Sequence, residues 1–151
     1  GKQGLGLHRL QVFNMREIIF FGSQEEVLEV RTRIIDDLKK ILGNLGLKSR
    51  IISASDPFFA GDALSSRAFQ SIFKLKYEMQ VYIPEIDSWI AAGSFNAHGD
   101  KLTKAYGIDV EGNELSYSGC FGVGYERFIY GLYSQISANP DDLIQIIQNA
   151  F

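Results

Sequence analysis

The sequence holds a single cysteine, Cys120, so an internal disulfide is excluded and the thiol content fits a reducing compartment. There is no Cys-x-x-Cys pair, which excludes the usual frameworks of a structural zinc module. No apolar run reaches the ~18 residues that a membrane-spanning helix needs, so no membrane association is expected. The opening stretch GKQGLGLHRL lacks the apolar core of a secretory signal, and a cytoplasmic location is the expectation. Neither sign of charge dominates: 15 Lys and Arg against 18 Asp and Glu leave −3. That balance gives no electrostatic case for nucleic acid as a general partner. Internal repeats and low-complexity segments are also missing.

What remains is an ordinary globular composition, 46% apolar over 151 residues, enough for one domain, 1–151, with a real core. RLQVFNMREIIFFG is rich in Val, Ile and Phe and partly alternates, which predicts a long strand over residues 7–21. Strand-like sequence thus begins almost at once, as expected of a piece of a longer protein. Ser23 and Glu26 then form a capping-box pattern. Val27, Val30, Ile34, Leu38 and Ile41 recur at helical spacing, and Gly43 and Gly46 end the helix. LKSRIISAS predicts a second strand, DPFFAGDA a turn, and residues 63–69 a short helix. SIFKLKYEMQVYIP, SWIAAGSFN and NELSYSGCFG predict three further strands, with AHGDKLTKAYG as a loop that includes a helical turn. YERFIYGLYSQI predicts a helix with Phe128, Leu132 and Ile136 on one stripe, and Asn139-Pro140 starts a final helix. The expected fold is α+β: a mostly antiparallel sheet, one face covered by the long first helix and the late helix.

Cys120 lies in SYSGCFGVGYERFIYGL, where a strand runs into Gly122-Val123-Gly124 and then a helix. The free N–H groups of such a helix start favour anions. Arg127, in the first turn, can reach a phosphate bidentately. Two readings stand open: a polyphosphate site, or a tight turn with Arg127 paired to an acid. Cys120 is either a small buried hydrophobe or a metal ligand, with His8, His98, Asp56, Glu17 and Glu78 as the available partners. Glu17, in an apolar strand, faces water or is paired or metal-bound. Strand alternation puts Phe13 on its face and Arg16 on the other. Phe13 is then a base-stacking platform beside a polar pocket, or simply core. Asp56 before Pro57 fits an Asx-turn, and Asn96 and His98 fit loop caps, when each is judged singly.

Taken in order, these stretches resemble the class II aminoacyl-tRNA synthetases of the seryl-type branch. GLHRLQVFNMREIIFFG is similar to the second strand of motif 2, with its Phe-x-x-x-Glu pattern, and GCFGVGYERFIYGL to motif 3, with its Gly-x-Gly-x-x-Arg ending. The combination of FNMRE, SDPFF, KYEM, SFNAH and GCFGVGYERF is most similar to the amino acid:carrier-protein ligases. The resemblance covers residues 6–136.

The resemblance implies an antiparallel sheet flanked by helices, the C-terminal portion of a class II synthetase-like catalytic core that lacks its N-terminal part. The first motif 2 strand with its arginine, a second zinc cysteine and the motif 1 helix are expected upstream, with a homodimer when full-length. By the same likeness, Glu17 and Cys120 are zinc ligands at the substrate amino group. Phe13 stacks on adenine and Arg127 binds the γ-phosphate, with Asn96 and Glu78 also at the ATP, Glu78 as the candidate magnesium ligand. Asp56 and Ser94 contact the amino acid. The implied reaction joins a small amino acid to ATP as the aminoacyl-adenylate, then to the phosphopantetheine thiol of a carrier protein, with no tRNA expected. With two of three zinc ligands present, weak or no zinc binding is expected of this segment alone. The alternatives are a seryl-tRNA synthetase core and a non-catalytic synthetase-like module that binds an amino acid or a partner without turnover.

Overall fold

The structure, a computed structural model, describes residues 10, 12–54, 75–112, 115–137 and 139–151. Five strands form one sheet: β1 (Met15–Gly22), β2 (Ser49–Ser53), β3 (Lys76–Ile83), β4 (Ser88–Gly99) and β5 (Tyr117–Gly124). The helices are α1 (Gln24–Asn44), α2 (Lys101–Tyr106), α3 (Tyr125–Gln135) and α4 (Pro140–Asn149), with a 3-10 turn at Pro84–Ile86. The strand order is β1-β5-β4-β3-β2 and every neighbouring pair is antiparallel, so the first strand lies against the last. No helix among the described residues is long and apolar enough to cross a membrane.

Local signals account for most boundaries. Ser23 Oγ accepts from the Glu26 N–H at 3.2 Å, and Glu26 Oε2 accepts from the Ser23 N–H at 2.7 Å, which closes the capping box of α1. Asn139 accepts from the Asp141 N–H at 3.1 Å, ahead of Pro140 in the first turn of α4. α1 and α3 lie on the same face of the sheet. Met79, Val81 and Phe95 are fully enclosed beneath them, and Phe121 stacks on Phe95 with ring centroids 4.6 Å apart. Burying side chains of this size supplies about 1.5–3 kcal/mol each. The expected stripe of α1 faces this core, joined by Ile35 and Leu42. Leu132 anchors α3, with Phe128 and Ile136 packed beside it.

Three details depart from expectation. β1 starts at Met15 because the backbone of Asn14 is used elsewhere: its N–H donates to the Glu126 carboxylate and its carbonyl accepts from the Tyr125 N–H. Gly122-Val123-Gly124 is strand, not turn, since it pairs with Met15, Arg16 and Glu17. β4 continues to Gly99 where a loop was expected, shifting register near Ala92 and again near His98, and the expected helical turn follows as α2. Arg31 is buried: its Nη1 donates to the Leu75 carbonyl at 3.2 Å and its guanidinium lies 5.1 Å from the Tyr77 ring centroid. Desolvation lowers its pKa. The DPFFAGDA turn with Asp56, and the short helix expected over 63–69, lie outside the described residues.

Candidate active site

The face of the sheet away from α1 and α3 carries the polar side chains, and the ladder explains which ones meet. Register places Glu17 opposite Gly122 and Ile19 opposite Cys120. Gly122 is in turn opposite Ser94, and Cys120 opposite Asn96. Ser94 faces Glu78, and Asn96 faces Lys76. Directly opposed residues share a face, so one polar row crosses four strands.

Glu17 and Cys120 lie on a diagonal of the β1–β5 ladder and share one sheet face, since Glu17 is opposite Gly122 and Ile19 opposite Cys120. Glu17 Oε1 lies 3.7 Å from where a Cβ on Gly122 would stand. Asn96 Nδ2 donates to Cys120 Sγ at 3.3 Å and to Ser94 Oγ at 3.3 Å. The Asn96 side chain is buried, and its Oδ1 has no hydrogen-bond partner among the described residues. Burial pushes the Cys120 thiol up to about 12; the Asn96 donor works against this and the Glu17 carboxylate adds to it. Cys120 is therefore a protonated thiol at neutral pH, with no nucleophilic character of its own. His98, also buried, has Nδ1 3.0 Å from Ser118 Oγ. Desolvation lowers its pKa against the pull of Glu17, which favours the neutral ring.

A cavity of about 190 Å³ opens beside this row, and Phe13, Glu78, Ser94 and Arg127 all line it, with Gly122 and Gly124 in its floor. The Arg127 guanidinium lies 5.5 Å from the Phe13 ring centroid and donates to the Ala91 carbonyl at 3.1 Å. Glu78 is held by Lys76, 3.5 Å away, and by Gln80 Nε2 at 3.2 Å. Of the site residues expected from the sequence, Phe13, Glu78, Ser94 and Arg127 line the cavity; Asn96 and Cys120 follow from Ser94 by hydrogen bonds, Glu17 is opposite Gly122, and Asp56 lies outside the described residues.

The start of α3 needs correcting as an anion site. Its first N–H, of Tyr125, is taken by the Asn14 carbonyl at 2.9 Å. The carboxylate of Glu126 accepts its own backbone N–H and both Asn14 nitrogens, and this holds it below the ordinary carboxylate range. The helix end already has its anion, and the cation offered to a ligand is the Arg127 side chain. An acid partner for Arg127, the other open reading, is replaced by a ring and a carbonyl.

Among the cavity residues that were not anticipated are Met15 and Lys76. Alternation alone exposes both: Met15 is two residues from Glu17 and Lys76 two from Glu78.

The donor chemistry of Glu17 and Cys120, one carboxylate and one sulfur, suits zinc. The number is short, since no group of three His, Cys, Asp or Glu residues gathers to hold a metal among the described residues.

An antiparallel sheet with its long helices packed on one face is the fold of part of a class II aminoacyl-tRNA synthetase-like core. The crystal structure of Methanopyrus kandleri SerRS in complex with A. aeolicus tRNASec matches with a TM-score of 0.77 at 25% identity, over 97% of this chain and 30% of that one. A Cryptosporidium parvum prolyl-tRNA synthetase bound to L-proline and AMP shares the fold, with a TM-score of 0.60 at 20% identity, over 86% of this chain and 27% of that one.

Within that class, the homologues are of two kinds. A type-2 serine–tRNA ligase of M. kandleri is 27% identical over 94% of this chain and 28% of its own length. Two amino acid–[acyl-carrier-protein] ligases of Bradyrhizobium diazoefficiens are 34% identical over 84% of the chain and 38% of their own length, and 31% over 93% and 44%. The chain thus spans well under half the length of these relatives. No family model matches it.

Proposed function

We propose that this chain forms part of the catalytic domain of an ATP-dependent amino acid ligase. The enzyme activates a small amino acid as its adenylate and passes it to the phosphopantetheine thiol of a carrier protein. The observation that carries this reading is that Glu17 and Cys120 share one sheet face on a ladder diagonal, beside Gly122 in the cavity that Phe13 and Arg127 also line. An amino-group site and a purine-plus-phosphate site then adjoin, which is what joining an amino acid to ATP demands.

Phe13 offers a face to adenine, and Arg127 a fork of donors to phosphate oxygens. Glu78 is the carboxylate best placed for magnesium, and Ser94 and Asn96 line the side toward the amino acid. Glu17 and Cys120 would hold a zinc ion together with a donor from elsewhere in the protein. When bound, such an ion would take the substrate's amino nitrogen as a ligand. The substrate carboxylate is already ionised, so its attack on the α-phosphorus, with pyrophosphate leaving, asks these residues for alignment and charge neutralisation and for no general base. The cavity is smaller than the ~300–1,000 Å³ of a typical small-molecule site; the complete substrate pair needs walls beyond the described residues.

A second reading, a seryl-tRNA ligase core, is favoured by the structural match over 97% of the chain. Higher identity to the carrier-protein ligases supports the first. Pyrophosphate exchange by the full-length protein, dependent on glycine, alanine or serine, tests the shared step, and no exchange with any amino acid rejects both. Labelled amino acid is then offered to a phosphopantetheinylated carrier protein and to tRNA. Carrier loading supports the first reading, and tRNA charging alone replaces it with the second.

A further inference from the structure

We propose that Met15 and Gly122 set the width of the amino-acid subsite, Met15 as a movable wall and Gly122 as a bare floor. This rests on the ligase reading above and adds the residues that decide which side chains are admitted.

The glycines of β5 are not equivalent. A Cβ at Gly119 would run into the Phe20 ring at 2.5 Å and the Asn96 carbonyl at 2.9 Å, so that glycine serves the packing of neighbouring strands. A Cβ at Gly122 would point to the open face. It would meet the terminal methyl of Met15 at 3.0 Å, Glu17 Oε1 at 3.7 Å and the Arg16 carbonyl at 3.9 Å. The space over Gly122 is therefore bounded by one flexible side-chain end and by the carboxylate that would face the substrate amine. Met15 is 51% exposed on an edge strand, and its unbranched thioether is free to move.

An amino nitrogen held beside Glu17 brings the substrate Cα over Gly122, since Glu17 Oε1 lies 3.7 Å from the Cβ position there. The substrate carboxylate must turn toward Phe13 and Arg127, where ATP sits in this reading. The remaining substituent of the Cα then meets the Met15 methyl and Ser94, both of which line the cavity. A small side chain fits there, and a branched one must displace Met15.

The test is amino-acid-dependent pyrophosphate exchange by the full-length protein with glycine, alanine, valine and methionine. Met15→Ala should raise kcat/KM for valine relative to glycine by about 10-fold or more, the scale of one to two methylenes in an apolar pocket. Gly122→Ala should act in the opposite direction. It should raise the KM for glycine or alanine by about 10-fold or more and leave the KM for ATP unchanged, a split that general loosening of the fold would not produce. A Met15→Ala enzyme with the parent ranking of amino acids overturns the proposal, as does a Gly122→Ala enzyme in which both KM values rise together. Should Gly122→Ala fail to fold, the Met15→Ala ranking decides alone. An unsubstituted protein that exchanges with no amino acid overturns the ligase reading itself.

Discussion

Glu17 lies on a ladder diagonal from Cys120, on one face of the sheet, because Glu17 is opposite Gly122 and Ile19 opposite Cys120. A carboxylate and a thiol from the two ends of the sequence are thereby brought near enough for the carboxylate to raise the thiol's pKa.

That proximity predicts the reactivity of the thiol. Glu17 raises the pKa of Cys120 and Asn96 lowers it. Glu17→Gln should therefore speed alkylation by iodoacetamide at a given pH, and Asn96→Ala should slow it, relative to the parent. Superimposable pH–rate curves for all three would show that this proximity is absent in solution.

Zinc affinity follows from the donor count. With a carboxylate and a thiol and no third metal-binding side chain near them among the described residues, the isolated chain should yield zinc to a chromophoric chelator. Replacing either Glu17 or Cys120 by Ala should remove what binding there is. Retention of one equivalent of zinc against excess chelator would reveal a donor not seen in this arrangement.

Nucleotide binding should depend on Phe13 and Arg127 jointly. Removing the charged hydrogen bonds of Arg127 by substitution with Ala should weaken ATP binding roughly 10- to 100-fold. Phe13→Ala should weaken adenosine and ATP by the same factor, since it removes a stacking surface, whereas Arg127→Ala should affect ATP more than adenosine. Calorimetry on the full-length protein makes the comparison, and equal losses for both ligands in both variants would contradict the division of roles.

The junction between β1 and α3 should give the protein an acid-sensitive seam. The folded pKa of Glu126 is lowered from its ordinary 4.5, chiefly by its own backbone N–H and then by Asn14. A depressed carboxylate stabilises fully above its unfolded pKa, and the benefit is lost as pH falls through the lower folded value. Glu126→Gln should thus lower the urea midpoint at pH 7, with the difference from the parent shrinking below pH 4.5. A difference that stays constant down to acid pH would assign the effect to something other than ionisation.

Much of this architecture could be read from residue patterns that act locally. The capping box at Ser23, the Asn139-Pro140 start and the apolar stripe of α1 need only neighbouring residues, and all three stand. Which residues of a strand share a face was legible for the same reason, since period two fixes it. What could not be read were effects of distant partners. Gly122-Val123-Gly124 looks like a turn until Met15, Arg16 and Glu17 are paired with it. Asn14 looks like strand until Glu126 claims its nitrogens.

The adjacency of β1 and β5 also has a consequence for when the molecule can work. Glu17 and Cys120 are separated by about a hundred residues, and closing so long a loop costs entropy that only later contacts repay. A ribosome must therefore finish nearly all of this stretch before the two groups can meet. The nascent chain carries a carboxylate and a thiol that are strangers to each other, and any chemistry they share begins only after synthesis has passed the last strand.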